Sequence, residues 1–148
     1  MNAVLIMAKE GSIGLPGKNI WKIDHWPLLS WTLVEAKHSN LVDKVFVSTN
    51  GESVAKIAQD CGVEVITRDD ELAKNEKFLD AVDHAMKYIK AKYPDFAIAA
   101  IPQCVVPFRD PDIFERCFKF LMENKEYDSA VTIRRTGFIP EALMKIQG

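Results

Sequence analysis

Cysteine is scarce in this chain of 148 residues: there are three, Cys61, Cys104 and Cys117. None forms a C-x-x-C pair or stands near a histidine at ligand spacing, which excludes a disulfide framework and a structural zinc site of the usual kind. No apolar run approaches the length needed to span a bilayer, and since Met1-Asn2 leads directly into a strand-like segment, a chain without a signal peptide is expected. Neither charge dominates. Nineteen Lys and Arg face 21 Asp and Glu, a net charge of −2, which argues against broad affinity for nucleic acid while permitting a local basic pocket. Repeats and low-complexity linkers are missing too. A single soluble domain over residues 1–148, in a cytoplasmic setting and with no nucleic-acid or membrane partner, is the expectation; its size suffices for a core without covalent staples.

What is present is an alternation of two periodicities. Ala3 to Ala8 is a short continuous apolar run, as in a strand covered on both faces. Pro27 opens a helix with Leu29, Thr32, Leu33 and Ala36 at helical spacing. Lys44 to Thr49 reads as a second strand. Val54, Ile57, Ala58 and Cys61 mark a second helix that Gly62 stops. Val63 to Thr67 is a third strand, followed by a long helix with Leu79, Val82, Met86 and Ile89 on one face, ending before Pro94. Phe96 to Ile101 is a fourth strand, and Asp112 is the expected N-cap of a helix carrying Phe114, Cys117, Phe118 and Leu121. Ser129 to Arg134 reads as a fifth strand. This βαβαβαβαβ order predicts an α/β fold, a Rossmann-like three-layer αβα sandwich with a mostly parallel sheet. Ligands of such folds bind beyond the carboxyl ends of the strands, so the loops after Ala8, Thr49 and Ile101 are where a site is sought.

The first of these loops, Lys9-Glu10-Gly11-Ser12-Ile13-Gly14-Leu15-Pro16-Gly17-Lys18-Asn19, holds three of the seven glycines. Glycine lets backbone N–H groups face a ligand, and lysine supplies charge, a combination suited to polyphosphate; glycine loops also serve as plain chain reversals. A Walker loop and a dinucleotide fingerprint both fail on spacing, which counts against a nucleotide kinase or a dehydrogenase. Asp80, Asp83 and His84 cluster on the long helix, where a solvated face explains them. Trp21, Trp26 and Trp31 are read as packing around the loop and first helix, since no basic patch accompanies them. Cys104 lacks a neighbouring histidine in sequence and is read as a buried, inert thiol.

The stretch Ala8-Lys9-Glu10-Gly11-Ser12 through Leu15-Pro16-Gly17-Lys18-Asn19 closely resembles the A-R-x-G-S-K-x-[IL]-P-x-K-N signature of the acylneuraminate cytidylyltransferase family. Pro27 to Thr32 is similar to its P-L-I-x-W-T segment, Asp43 to Asn50 to D-x-V-x-V-S-T-D, and Gly62 to Ala73 to G-A-x-V-x-x-R-P-x-E-L-A. Ile101 to Arg109 matches L-L-Q-P-T-S-P-L-R at Gln103, Pro107 and Arg109. The resemblance implies a fold of the nucleotide-diphospho-sugar transferase type. It implies CTP and an acidic nonulosonic sugar as partners, CMP transfer with release of pyrophosphate, Mg²⁺ as cofactor, and a homodimer.

By the same resemblance, Lys18 and Lys9 are the candidate catalytic cations, and Gly11, Ser12, Lys18, Asn19, Arg68 and Gln103 the candidate nucleotide-binding residues. Gln103 and Arg109 are the candidate sugar-binding residues. For Arg68 a surface ion pair with Asp69, Asp70 or Glu71 is an equal alternative. Several positions depart from the pattern. Lys9 stands for an arginine, which gives a point charge in place of a planar fork. Ile13 stands for a lysine, Asn50 for an aspartate, and Cys104, Val105 and Val106 for P-T-S, removing two hydroxyls. The family's C-terminal region, with its acidic D-x-D metal pair, has no counterpart before Gly148, so no metal ligand is named. A second reading follows: a nucleotide-binding or assembly module derived from the family and impaired in catalysis.

Overall fold

The computed structural model describes residues 1–12 and 14–133. Four parallel strands form the sheet in the order β5-β4-β1-β6. They are β1 (Asn2–Met7), β4 (Lys44–Thr49), β5 (Glu64–Thr67) and β6 (Ile98–Ala100). Between β1 and the first helix lies a small antiparallel ribbon of β2 (Lys22–Ile23) and β3 (Trp26–Pro27). The helices are α1 (Leu28–His38), α2 (Glu52–Asp60), α3 (Phe78–Lys92) and α4 (Ile113–Glu123). None of them is long and apolar enough to cross a membrane.

Period-two alternation along the strands divides the core into two layers. Val4, Ile6, Val45 and Val47 face one side and pack with Leu29 and Leu33 of α1, Val54 and Ala58 of α2, and Phe114 and Phe118 of α4. Ala3, Leu5, Phe46 and Ile66 face the other, against Ala85 and Ile89 of α3. Both faces are therefore covered, which is why the strands read as unbroken apolar runs and why the sandwich is three-layered. Phe46 is fully buried and meets the Tyr93 ring edge-on at a centroid distance of 5.7 Å.

Gly62 adopts φ +66° immediately after the second helix, the left-handed geometry that its position predicts. Three expectations require correction. Pro27 lies in β3 and flanks α1 rather than opening it. Leu79 is 77% exposed, and the core face of α3 is Ala81, Ala85 and Ile89. Asp112 flanks α4 but its side chain makes no cap hydrogen bond; it faces the Arg116 guanidinium at 3.6 Å instead.

The fifth strand is not formed over Ser129–Ile133, where Val131 and Ile133 are 82% and 94% exposed. Alternation marks a face that could be buried, but a strand also needs a neighbour to pair with, and among the described residues this segment has none. Arg134, the last residue of that expected strand, lies outside the described residues.

Because all four sheet strands run parallel, their carboxyl ends share one edge, and the loops 8–21, 50–51, 68–77 and 101–112 gather there. Strand order reverses at β1, which is flanked by β4 on one side and β6 on the other. The loops after β1 and β6 thus flank the switch point where open α/β sheets bind ligands.

At the opposite edge, Glu64 fastens β5 to α3. It accepts hydrogen bonds from Tyr88 Oη at 3.0 Å, Tyr93 Oη at 2.8 Å and Lys92 Nζ at 2.8 Å. Burial pulls this carboxyl upward, but the bonds from Lys92, Tyr93 and Tyr88 outweigh it and hold the group below its usual range. A carboxyl depressed in the folded state adds stability that is present above its unfolded value of about 4.3 and is lost as pH falls through the lower folded value. Glu64→Gln should lower the melting temperature at pH 7 by about 2–4 °C. The deficit should shrink on acidification, as measured by thermal unfolding across pH 3 to 7; an equal deficit at every pH contradicts the assignment.

Candidate functional site

The glycine-rich loop leaves β1 at Ala8 and is pinned at both ends. Asn19, 3% exposed and within the 3₁₀ turn Lys18–Ile20, donates from Nδ2 to the Lys9 carbonyl at 2.7 Å. This closes residues 9–19 into a ring. Gly17 takes φ +68° ahead of the turn, a conformation that a side chain would strain. The Glu10 amide donates to Asn50 Oδ1 at 3.2 Å, and Asn50 Nδ2 donates to Asp70 Oδ1 at 2.9 Å. The loop therefore rests on the turn after β4, where the Glu10 side chain lies so close to Gly51 that a Cβ there would collide with it.

The sequence candidates occupy this edge in different ways. Ser12 is buried and its hydroxyl finds no partner among the described residues. Gly11 is exposed, with open space where a side chain would stand. Lys9 Nζ reaches Asn75 Oδ1 at 2.5 Å, a neutral acceptor on the 3₁₀ turn Asn75–Lys77. Lys18 is partly buried, and its charge favours the ionised form of the Cys104 thiol.

Arg68, just beyond β5, is 7% exposed. Its Nη1 donates to Ser48 Oγ at 3.1 Å and approaches Met7 Sδ at 4.0 Å, so the guanidinium lies across the ends of β4 and β1. Its Nε is buried without a partner among the described residues, and burial lowers the tendency of the group to stay charged. The surface ion-pair alternative is overturned: Asp69 caps the Leu72 amide at 2.9 Å, Asp70 accepts from Asn50, and Glu71 pairs with Lys74 at 2.6 Å.

Gln103 is exposed on the loop after β6. Arg109, expected to contact the sugar, is held by groups of the protein itself. Its Nη1 donates to Thr32 Oγ1 at 3.0 Å and to Glu35 Oε2 at 2.9 Å, and its Nη2 donates to the Gln103 carbonyl. Its side chain is 11% exposed and Glu35 is 14% exposed, so this is a nearly buried pair that ties the loop to α1 and fixes the backbone of Gln103. Val105 and Val106 are about half exposed, leaving an apolar rim where hydroxyls were expected.

Cys104 is buried as expected, and burial pushes its thiol up, against the pull of Lys18 and Arg109. Its Sγ donates to Asn19 Oδ1 at 3.0 Å. That contact joins the two loops across the switch point. Sequence reasoning missed it, along with the Asn50–Asp70 support, because neither pairing has a local spacing signal.

The tryptophans divide. Trp31 meets Phe108 edge-on at 5.4 Å and Trp26 in a tilted arrangement at 6.4 Å, while Trp21 and Trp26 are about half exposed. Trp26 and Trp31 line, with Val34, Pro107, Phe108 and Pro111, an open groove of about 430 Å³.

The edge thus combines cations with unsatisfied polar atoms. Among the described residues Lys9, Lys18 and Arg68 have no carboxylate partner, as is also true of Lys22, Lys37, Lys44, Lys90 and Lys125, whereas Lys56, Lys74, Lys77 and Lys87 each have one. A buried hydroxyl on Ser12 and a buried open N–H on Arg68, on the same edge as Lys9 and Lys18, suit an anion with many acceptor oxygens. The described residues contain no group of three or more His, Cys, Asp or Glu placed to hold a metal ion. Asp80 and Asp83 pair with Lys77 and Lys87. The Mg²⁺ that the resemblance implies is therefore assigned to no described residue.

A family model described as cytidylyltransferase matches residues 3–143. The N-acylneuraminate cytidylyltransferase of Escherichia coli O18:K1:H7 is 30% identical over 133 residues, covering 89% of this chain and 31% of that protein. The enzyme of the same name from Oncorhynchus mykiss is 32% identical over 118 residues, covering 79% and 27%. Among solved structures, that of a CMP:2-keto-3-deoxy-manno-octonic acid synthetase complexed with CTP superposes with a TM-score of 0.70 at 21% identity, over 84% of this chain and 48% of that one. At that identity the likeness shows the fold. The chain spans about a third of the length of these curated relatives.

Gly51→Ala should force Glu10 and the loop off the turn after β4, at a cost of about 1–3 kcal/mol typical of overpacking. Denaturant unfolding measures this directly, and an unchanged midpoint contradicts the close approach.

Proposed function

Since the chain belongs to the cytidylyltransferase family, we propose that its carboxyl-edge loops bind CTP and present the α-phosphate to the hydroxyl of an acidic sugar. The observation that carries this reading is that Lys9, Lys18 and Arg68, without carboxylate partners among the described residues, stand on loops of the same sheet edge as the buried open hydroxyl of Ser12. In the proposed reaction the sugar oxygen bonds to the α-phosphorus, the bond to the departing pyrophosphate breaks, and the hydroxyl proton is released. Charge builds on the phosphate oxygens, so positioning and neutralisation are the work required of the protein.

Each residue has a stated part. The amides of Gly11 and Ser12 donate to phosphate oxygens, and Lys18 and Lys9 neutralise the triphosphate. For Lys9 this requires exchanging its neutral Asn75 acceptor for a phosphate oxygen, a favourable trade for an ammonium group. Arg68 offers its open N–H from beneath. Gln103, exposed and with its backbone fixed by Arg109, supplies an amide to a ribose or sugar hydroxyl. An acylneuraminate-type nonulosonic acid is the proposed acceptor, in keeping with the names of the relatives; a 3-deoxy-octulosonic acid is the nearest competitor, in keeping with the synthetase whose structure superposes on this chain.

One observation favours the second reading, a nucleotide-binding module without turnover. The apolar rim of Val105 and Val106, together with an Asn50 already committed to Glu10 and Asp70, leaves few groups free to hold an acceptor.

Calorimetric titration with CTP, ATP, GTP and UTP tests the site. CTP should bind in preference, and Lys18→Ala should weaken it by about tenfold, as loss of one charge-assisted contact predicts. Equal affinity for all four nucleotides, or no effect of Lys18→Ala, rejects nucleotide recognition by this loop. Release of pyrophosphate with CTP, Mg²⁺ and a panel of nonulosonic and octulosonic acids then separates the enzyme from the module.

A further inference from the structure

The Asn19 carboxamide stands between two partners that dictate its orientation. On one side the Lys9 carbonyl can only accept, and on the other the Cys104 thiol donates. A carboxamide has one accepting and one donating end, so a donor at Cys104 fixes Oδ1 there and leaves Nδ2 for Lys9. Without that donor Oδ1 is left buried and unsatisfied, and turning the carboxamide over is no remedy, because it sets Oδ1 against the Lys9 carbonyl, two acceptors face to face; either way the bond that closes residues 9–19 is weakened. Asn19 is almost wholly buried and Cys104 is 6% exposed, so water is poorly placed to substitute for the thiol. Burial keeps the sulfur protonated, which preserves its role as donor.

We propose that Cys104 is a positioning residue: its S–H orients the Asn19 amide, and through it closes the glycine-rich loop across the switch point between β1 and β6. The consequence for CTP rests on the nucleotide reading of that loop, but the consequence for the loop's closure does not. The effect is transmitted through one side chain, so it disappears when that side chain is removed. Serine, which restores a donor at the same place, rescues it. Neither property belongs to a residue that merely fills space.

The test uses the full chain with Cys104→Ala, Cys104→Ser, Asn19→Ala and the double variant Cys104→Ala/Asn19→Ala. Amide hydrogen exchange across residues 9–19 and CTP affinity are read for each. Cys104→Ala should accelerate exchange in the loop and weaken CTP binding by about tenfold, and Cys104→Ser should return both to within about threefold of the parent. The double variant should behave as Asn19→Ala alone, because the two residues act as one unit. If alanine prevents folding, Cys104→Val keeps the bulk without the donor and takes its place.

Unchanged loop exchange in Cys104→Ala, failure of serine to rescue, or additive effects in the double variant each overturns the proposal. Failure of the parent chain to bind CTP rejects the nucleotide reading alone, since loop exchange still decides the part played by Cys104.

Discussion

One buried carboxamide holds together everything that makes the carboxyl edge of this sheet a site. Asn19 bonds to the Lys9 carbonyl and receives the Cys104 thiol, so the glycine-rich loop and the loop beyond β6 are a single rim rather than two independent chain reversals. A loop of this length, rich in glycine, has much conformational entropy to lose, and ordering it at the moment of binding would weaken any ligand. Pinning its two ends in advance removes part of that cost. The further contacts from Glu10 to Asn50 and from Asn50 to Asp70 extend the same rim to the turn after β4.

The second constraint is electrostatic. On the helices several lysines face carboxylates at helical spacing, as Lys87 does with Asp83 and Lys56 with Asp60. Around the rim the acids are drawn away: Glu10 packs on Gly51, Asp69 caps a turn, and Asp70 serves Asn50. Lys9, Lys18 and Arg68 are left with neutral neighbours among the described residues. Concentrating positive charge and open N–H groups at one end of a chain whose overall charge is −2 is a local arrangement, and it points to an anionic ligand more specifically than composition could.

Much of this is legible in the sequence, for definite reasons. Buried parallel strands betray themselves as apolar runs, so Asn2–Met7 and Lys44–Thr49 can be read to within a residue or so. The helical repeats of α1, α2 and α4 are readable likewise, and Gly62 marks its left-handed turn. The small ribbon of Lys22–Ile23 and Trp26–Pro27 is invisible because two residues carry no period. The opposite error arises at Ser129–Ile133, where period two is present but the described residues offer no partner strand. At the site, the loop residues are readable as a group because they are contiguous. The burial of Arg68 over Ser48, the clamp of Arg109 on Glu35, and the Cys104–Asn19 bond join residues 20 to 85 positions apart, which no local pattern encodes.

The proposed function puts a cytidine triphosphate on this rim. Mapping of backbone amide shifts by heteronuclear NMR during a CTP titration tests it most directly. Perturbations should concentrate at Gly11, Ser12, Lys18, Asn19, Arg68 and Gln103. Shifts centred instead on the groove of Trp26, Trp31 and Phe108, or on the far edge around Lys44 and Glu64, would contradict the account.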